Sequence, residues 1–126
     1  VPLLLSDLET FVAGLGLGAP VNLNRLPDTP DSIIVASTAP GGAVLYDGAF
    51  EVVHVQFRIR GGPNDDAAAE TLALALHQAL VAHESSFQMG STYVLSIQPL
   101  SSPTYAGRDV DLRTVYVSTY QFTVPA

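Results

Sequence analysis

Phe50-Glu51-Val52-Val53-His54-Val55-Gln56-Phe57-Arg58-Ile59-Arg60-Gly61-Gly62-Pro63-Asn64-Asp65-Asp66 is the stretch whose reading decides the fold. Val53, Val55, Phe57 and Ile59 fall on one side of an extended chain, and His54, Gln56, Arg58 and Arg60 on the other. A period of two marks a strand with one face on a core and one on solvent or a partner. Gly61-Gly62-Pro63 ends that pattern, and Asn64, Asp65 and Asp66 supply N-cap and first-turn side chains. An alanine-rich helix is predicted from there to about His83, with Ala69, Leu72, Ala73, Leu76, Ala79 and Leu80 as its buried stripe. Alanine favours helix and lets the backbone lie close to a sheet.

Upstream, Ser32-Ile33-Ile34-Val35-Ala36-Ser37-Thr38 reads as a strand, broken by Ala39-Pro40-Gly41-Gly42. Residues 43–49 read as an exposed loop with a turn at Tyr46-Asp47-Gly48, and 22–30 as turn-rich. Ser6-Asp7-Leu8-Glu9 has the form of a capping box, and Leu8, Phe11, Val12 and Leu15 follow at helical spacing. Leu4 also fits that stripe, which allows a start nearer Pro2, and Gly14, Gly16, Gly18 and Pro20 end the helix. Downstream, 92–98 alternates again through Tyr93, Leu95 and Ile97. Residues 99–111 read as a long polar connection. The last strand, 112–124, puts Tyr116, Tyr120, Phe122 and Val124 on one face and Val115 and Val117 on the other. The expectation is a single α+β domain over 1–126 in the order α-β-β-α-β-β, with a mostly antiparallel four-stranded sheet and two helices packed on one face.

Composition narrows the function. The chain has 126 residues, 48% of them hydrophobic and only 13% charged, so a real core is available and the charge cover is thin. Thin charge cover is consistent with burial against partner subunits. The formal net charge is −7 and there is no lysine; the cations are Arg25, Arg58, Arg60, Arg108 and Arg113. Proteins that grip nucleic acid cluster Lys and Arg against phosphate, whereas this field repels polyanions. The absence of cysteine excludes disulfides, thiolate nucleophiles and cysteine zinc sites. Val1-Pro2-Leu3-Leu4-Leu5 is too short for a signal-peptide core, and no apolar run has the roughly 18 residues of a membrane span, so no membrane partner is expected.

A search for chemistry returns little. His77 and His83, six apart on one helix, do not share a face, and His54 reads as an ordinary boundary residue, so no metal is expected. No Gly-x-Ser-x-Gly elbow or phosphate-binding loop is present. Gly14-Leu15-Gly16-Leu17-Gly18 follows a helix, where a dinucleotide loop would follow a strand. Capping accounts for Asp65 and Asp66. No catalytic or cofactor-binding residues are assigned, and the chain reads as a non-enzyme. What the fold leaves over is interface material: Tyr46 and Asp47 in one loop, Arg58, Arg60 and Arg113 on the polar strand faces, and Tyr105, Arg108, Asp109 and Asp111 in the long connection. Arg108 is expected to face an acidic residue of a neighbouring subunit.

Several of these stretches together resemble the tail terminator and minor capsid proteins of long-tailed bacteriophages. They are the leading helix 4–15, Leu26-Pro27-Asp28-Thr29-Pro30-Asp31 followed by Ile33-Ile34-Val35, the strand 50–61 running into the helix from Asp65, and Arg108-Asp109 with the closing strand 114–124. The likeness rests on element order over most of the chain. It implies a small mixed sheet with two helices against it and a homo-oligomeric ring, usually a hexamer, at the head-proximal end of the tail tube. Such a ring ends tube growth, touches the tail tube protein and the head–tail connector protein, and lets DNA pass without holding it tightly. It implies a place in the virion tail after assembly in the host cytoplasm, and carries no catalytic residues. The competing readings are a head–tail connector or head-completion protein, a small-molecule-binding α+β module and, last, a small enzyme.

Overall fold

The computed structural model describes residues 3–45, 49–83 and 86–125, with the backbone alone at 40–45. Its elements are α1 (Leu5–Ala13), β1 (Val21–Leu23), β2 (Ile33–Leu45), β3 (Phe50–Pro63), α2 (Asp66–Val81), β4 (Phe87–Met89), β5 (Thr92–Val94), β6 (Ser96–Arg108) and β7 (Arg113–Pro125). Five strands form one sheet in the order β1-β2-β3-β7-β6, and β4 pairs with β5 in a separate two-stranded sheet. β1 runs parallel to β2, and the other pairings are antiparallel.

The expected four-stranded antiparallel sheet in α-β-β-α-β-β order is therefore corrected to a five-stranded mixed sheet with an accessory hairpin. The predicted strand 92–98 divides at Leu95: β5 turns back onto β4, while β6 enters the main sheet. The supposed connection 99–111 is mostly β6, an edge strand exposed along nearly its whole length. Pro99 and Pro103 fit there because an edge strand pairs on one side only and tolerates missing N–H groups. β2 runs on through Pro40-Gly41-Gly42 with a register shift between Ala39 and Ala43, so the break expected there is a bulge. β3 likewise continues to Pro63.

Both helices share one core with the sheet. Leu8 and Val12 of α1, Ala73, Leu76 and Leu80 of α2, and Ile34, Val55, Phe57, Ile59, Tyr120, Phe122 and Val124 of the strands form a single buried cluster. The alternation in 53–59 and the alanine stripe of α2 thus place the core as expected. Asp65 caps α2 by accepting from the Ala68 amide at 3.1 Å. Gly61 lets α2 approach, since a Cβ there would lie 2.8 Å from Cβ and 3.0 Å from N of Ala69.

The capping box at Ser6 is not formed. Leu4 is the N-cap of α1, with no side-chain cap bond, and Ser6 lies inside the helix. Asp7 anchors the helix instead: its carboxylate accepts from the Ser91 hydroxyl at 2.7 Å and the Thr92 hydroxyl at 2.9 Å. These bonds, Ser91's first, hold the Asp7 carboxyl below the usual range.

Candidate functional site

The nine residues singled out from sequence divide by location. Tyr46 and Asp47 lie outside the described residues. The arginines of β3 and β7 converge on the sheet face opposite the helices, under the segment 24–31. Arg58 donates to the Asn24 carbonyl at 3.1 Å. Arg60, 2% exposed, donates to the carbonyls of Pro30 at 2.6 Å, Asp31 at 2.9 Å and Asp28 at 3.4 Å. Arg113, 4% exposed, donates through Nε to Asp109 at 2.8 Å, and its terminal nitrogens reach the carboxylates of Asp111 at 3.1 Å and of Asp28 and Asp31 at 3.2 Å. Arg60 and Arg113, read from alternation as lying on an open polar face, are thus buried within the chain. A segment rich in turn residues, with a cis Thr29–Pro30 bond, folds across that face and is held by guanidinium groups.

Burial works to lower the Arg113 pKa, but Asp109, Asp28 and Asp31 outweigh it and hold the group above its ordinary value. Arg60 is shifted the other way, by burial first and then by Arg113 beside it.

The second group sits at the free edge of the sheet. Arg108 forms an ion pair with Asp66 at the start of α2, at 2.9 Å, with both side chains substantially exposed. Thr114 also donates to Asp66. The acidic partner foreseen for Arg108 on a neighbour is, in this chain, its own Asp66. Asp109 accepts at 3.0 Å from the amides of both Asp111 and Arg113, which shapes the β6–β7 turn. Tyr105 is 54% exposed and meets Tyr116 edge-on at 6.1 Å between ring centroids. Asp28, Asp31, Asp66 and Thr114 were not singled out from sequence, because nothing in their local sequence marks their pairing with side chains distant along the chain.

The carboxyls at these junctions are depressed: Asp66 by the Thr114 and Arg108 hydrogen bonds, and Asp109 by the Arg113 amide and side chain. A depressed carboxyl stabilises the fold fully above its unfolded pKa, about 3.9, and that contribution is lost as pH falls through the lower folded value. Urea midpoints are therefore expected to stay level from pH 7 to pH 5 and to fall below about pH 4. An Asp66→Asn, Asp109→Asn double variant should show a shallower fall. An equally steep fall in that variant would place the acid sensitivity elsewhere.

His77 and His83 each meet an aromatic side chain. His77 Nδ1 and the Tyr120 hydroxyl are 2.8 Å apart, and His83 stacks on Phe87 with ring centroids 4.3 Å apart. Among the described residues, no group of three or more His, Cys, Asp or Glu side chains is placed to hold a metal ion. No helix among them is long and apolar enough to cross a membrane.

No family model and no curated protein matches the sequence. Solved structures share the fold, among them two that match nearly the whole chain. One is a chain from the virion of a native gene transfer agent particle, similar with a TM-score of 0.63 and 16% identity over 97% of this chain and 91% of that one. A second solved chain is similar with a TM-score of 0.58 and 18% identity over 94% of this chain and 88% of its own length. Both likenesses run nearly end to end, and at these identities the fold is what they share.

Proposed function

We propose that this chain is a structural protein of a phage-like virion, and specifically a tail terminator: a hexameric ring at the head-proximal end of the tail tube, contacting the tail tube protein on one side and the head–tail connector on the other. The observation that carries the reading is the near end-to-end fold match to a chain of the gene transfer agent virion. Position along the sheet edge supports it: Tyr105, Arg108, Asp109 and Asp111, though the last three are already paired within the chain, lie along the open edge and its turn, where a neighbouring subunit has access. Buried Arg60 and Arg113 serve that surface indirectly, by fixing the segment 24–31 and the β6–β7 turn.

The test is removal of the chain from the virion that encodes it. Tail tubes of uncontrolled length, unjoined to heads, are expected by electron microscopy. Tubes of normal length joined to heads would overturn the reading.

The proposed ring passes DNA without holding it. Net charge −7 without lysine motivates this, and the arginines are largely occupied by their own chain. Fluorescence anisotropy at low salt should show no binding of duplex DNA by the purified chain. Tight binding that weakens steeply with salt would contradict it.

A further inference from the structure

Residues 24–31 cross the sheet without belonging to it. β1 ends at Leu23 and β2 begins at Ile33. Asn24, with a positive φ of 63°, turns the chain and still donates its amide to the Ala36 carbonyl at 2.9 Å. Beyond it Pro27 and Pro30 have no N–H to offer, and Asp28, Thr29, Pro30 and Asp31 are exposed. The sheet holds this stretch by guanidinium groups. Arg60 donates to the carbonyls of Asp28, Pro30 and Asp31, and Arg113 to the Asp28 carbonyl and to the carboxylates of Asp28 and Asp31. Asp28 nevertheless keeps 85% of its side chain in water. A segment tied down by side-chain bonds, with only Leu26 and Pro27 half-buried beside its polar residues, opens at lower cost than the strands beneath it.

Underneath lie cations that the segment keeps from solvent. Arg60 and Arg113 are both buried, and Arg113 stands near enough to Arg60 to oppose its charge. Arg58 shares the face, and its Nε is buried without a hydrogen-bond partner among the described residues. Asp109 and Asp111 serve Arg113 from the β6–β7 turn, so Asp28 and Asp31 are the carboxylates that move with the segment. Lifting it leaves three guanidinium groups against Asp109 and Asp111, a local excess of positive charge in a chain of net charge −7. Desolvated or crowded cations of this kind are stable only with counter-charges and hydrogen-bond acceptors in place.

We propose that 24–31 is a strap that opens as a unit while the sheet stays folded, and that the uncovered Arg58, Arg60 and Arg113 then take an acidic peptide segment of a partner protein in its place. The closed form shows the chemistry of that ligand, because the strap is itself bound as a peptide: Arg60 reads its backbone carbonyls, and Arg113 reads two carboxylates three residues apart. Guanidinium forks suit carboxylates, and the carbonyl contacts select a peptide over a nucleic acid, which the acidic field of the whole chain also repels. While the strap is closed, a partner sees only the fraction of chains that are open, so the strap sets the apparent affinity of the site. The inference holds whether or not the chain forms a ring.

Phenylglyoxal, which modifies accessible guanidinium groups, tests the opening in the unaltered chain, with the sites read by mass spectrometry. Exposed Arg25 should react at once. Arg60 and Arg113 should react slowly, at a rate that barely changes with urea below the unfolding transition, because a local opening exposes little new surface. Modification of these two that rises with urea as steeply as global unfolding would overturn the strap. The second arm uses a peptide of residues 24–32, blocked at both ends, and an Asp28→Asn, Asp31→Asn chain whose strap has lost its own carboxylates. The peptide should bind this variant about tenfold or more tighter than it binds the parent, and should protect Arg60 and Arg113 from modification. A peptide with both aspartates changed to asparagine should do neither. If the variant fails to fold, protection of the parent at high peptide concentration gives the same reading. No protection by the acidic peptide, or equal protection by duplex DNA, would overturn the acidic-peptide site.

Discussion

Val55→Asp is expected to leave the chain unfolded. Val55 is fully buried at the middle of β3, paired with Thr38 of β2 on one side and Tyr120 of β7 on the other. Its side chain belongs to the apolar cluster that includes Phe57, Leu76, Leu80 and Phe122, which contains no cation. An ionised group there meets the full desolvation penalty, and protonation to escape it still leaves a polar group without partners. A loss of roughly 4 kcal/mol or more is set against a total stability of about 5–15 kcal/mol for a domain of this kind. Circular dichroism and gel filtration should report an unfolded or aggregated chain. Gln56→Asp, one residue along on the opposite face, should fold. A Val55→Asp variant that melts like the parent would show that the 53–59 alternation does not mark the core face.

Arg113→Met should destabilise the chain far more than the same change at the exposed Arg108. Methionine keeps most of the volume of the stem, so the change isolates the guanidinium head. That head joins two pieces of chain distant in sequence: Asp28 and Asp31 in the segment before β2, and the β6–β7 turn, with Asp109 and Asp111, next to Arg113 itself. Without it, four carboxylates lose their shared cation, and the Asp28 carbonyl loses a donor as well. Arg60 would then hold the segment 24–31 with Arg58 alone. Thermal melting should fall well below that of Arg108→Met, whose exposed pair with Asp66 is screened by water. Hydrogen exchange should quicken at the amides of 24–31 before those of β3. Equal melting for the two variants would mean that Arg113 is no more than another surface charge.

The same arginines show where local reading stops. Alternation in 50–60 assigns Arg60 to the face with His54 and Gln56, and the face is right. That this part of the face is covered depends on 24–31 folding back across it, which no period within β3 records. Arg108 is similar. Its sequence context suggests an interface cation, and it remains on the open edge, yet Asp66 neutralises it across 42 residues of chain. In each case charge balance is settled by a partner that only the closed fold brings near.

By itself the sequence determined the elements whose burial is one-sided and local: the 53–59 face of β3, the capped alanine helix from Asp66, the Tyr120-Phe122-Val124 face of β7, and the absence of thiol, phosphate-loop or metal-ligand patterns. These are legible because a half-buried strand or helix must repeat its apolar residues at its own period. Tertiary structure alone decided the mixed sheet. β1 is three residues long and exists by pairing in parallel with β2 at Val21 to Ile34. β6 is exposed along most of its length, so its residues need no alternation and its prolines do no harm, and only hydrogen bonding to β7 makes it a strand. Backbone pairing is nearly indifferent to side-chain identity where neither face is buried, and an edge strand therefore leaves almost no trace in the residues that form it.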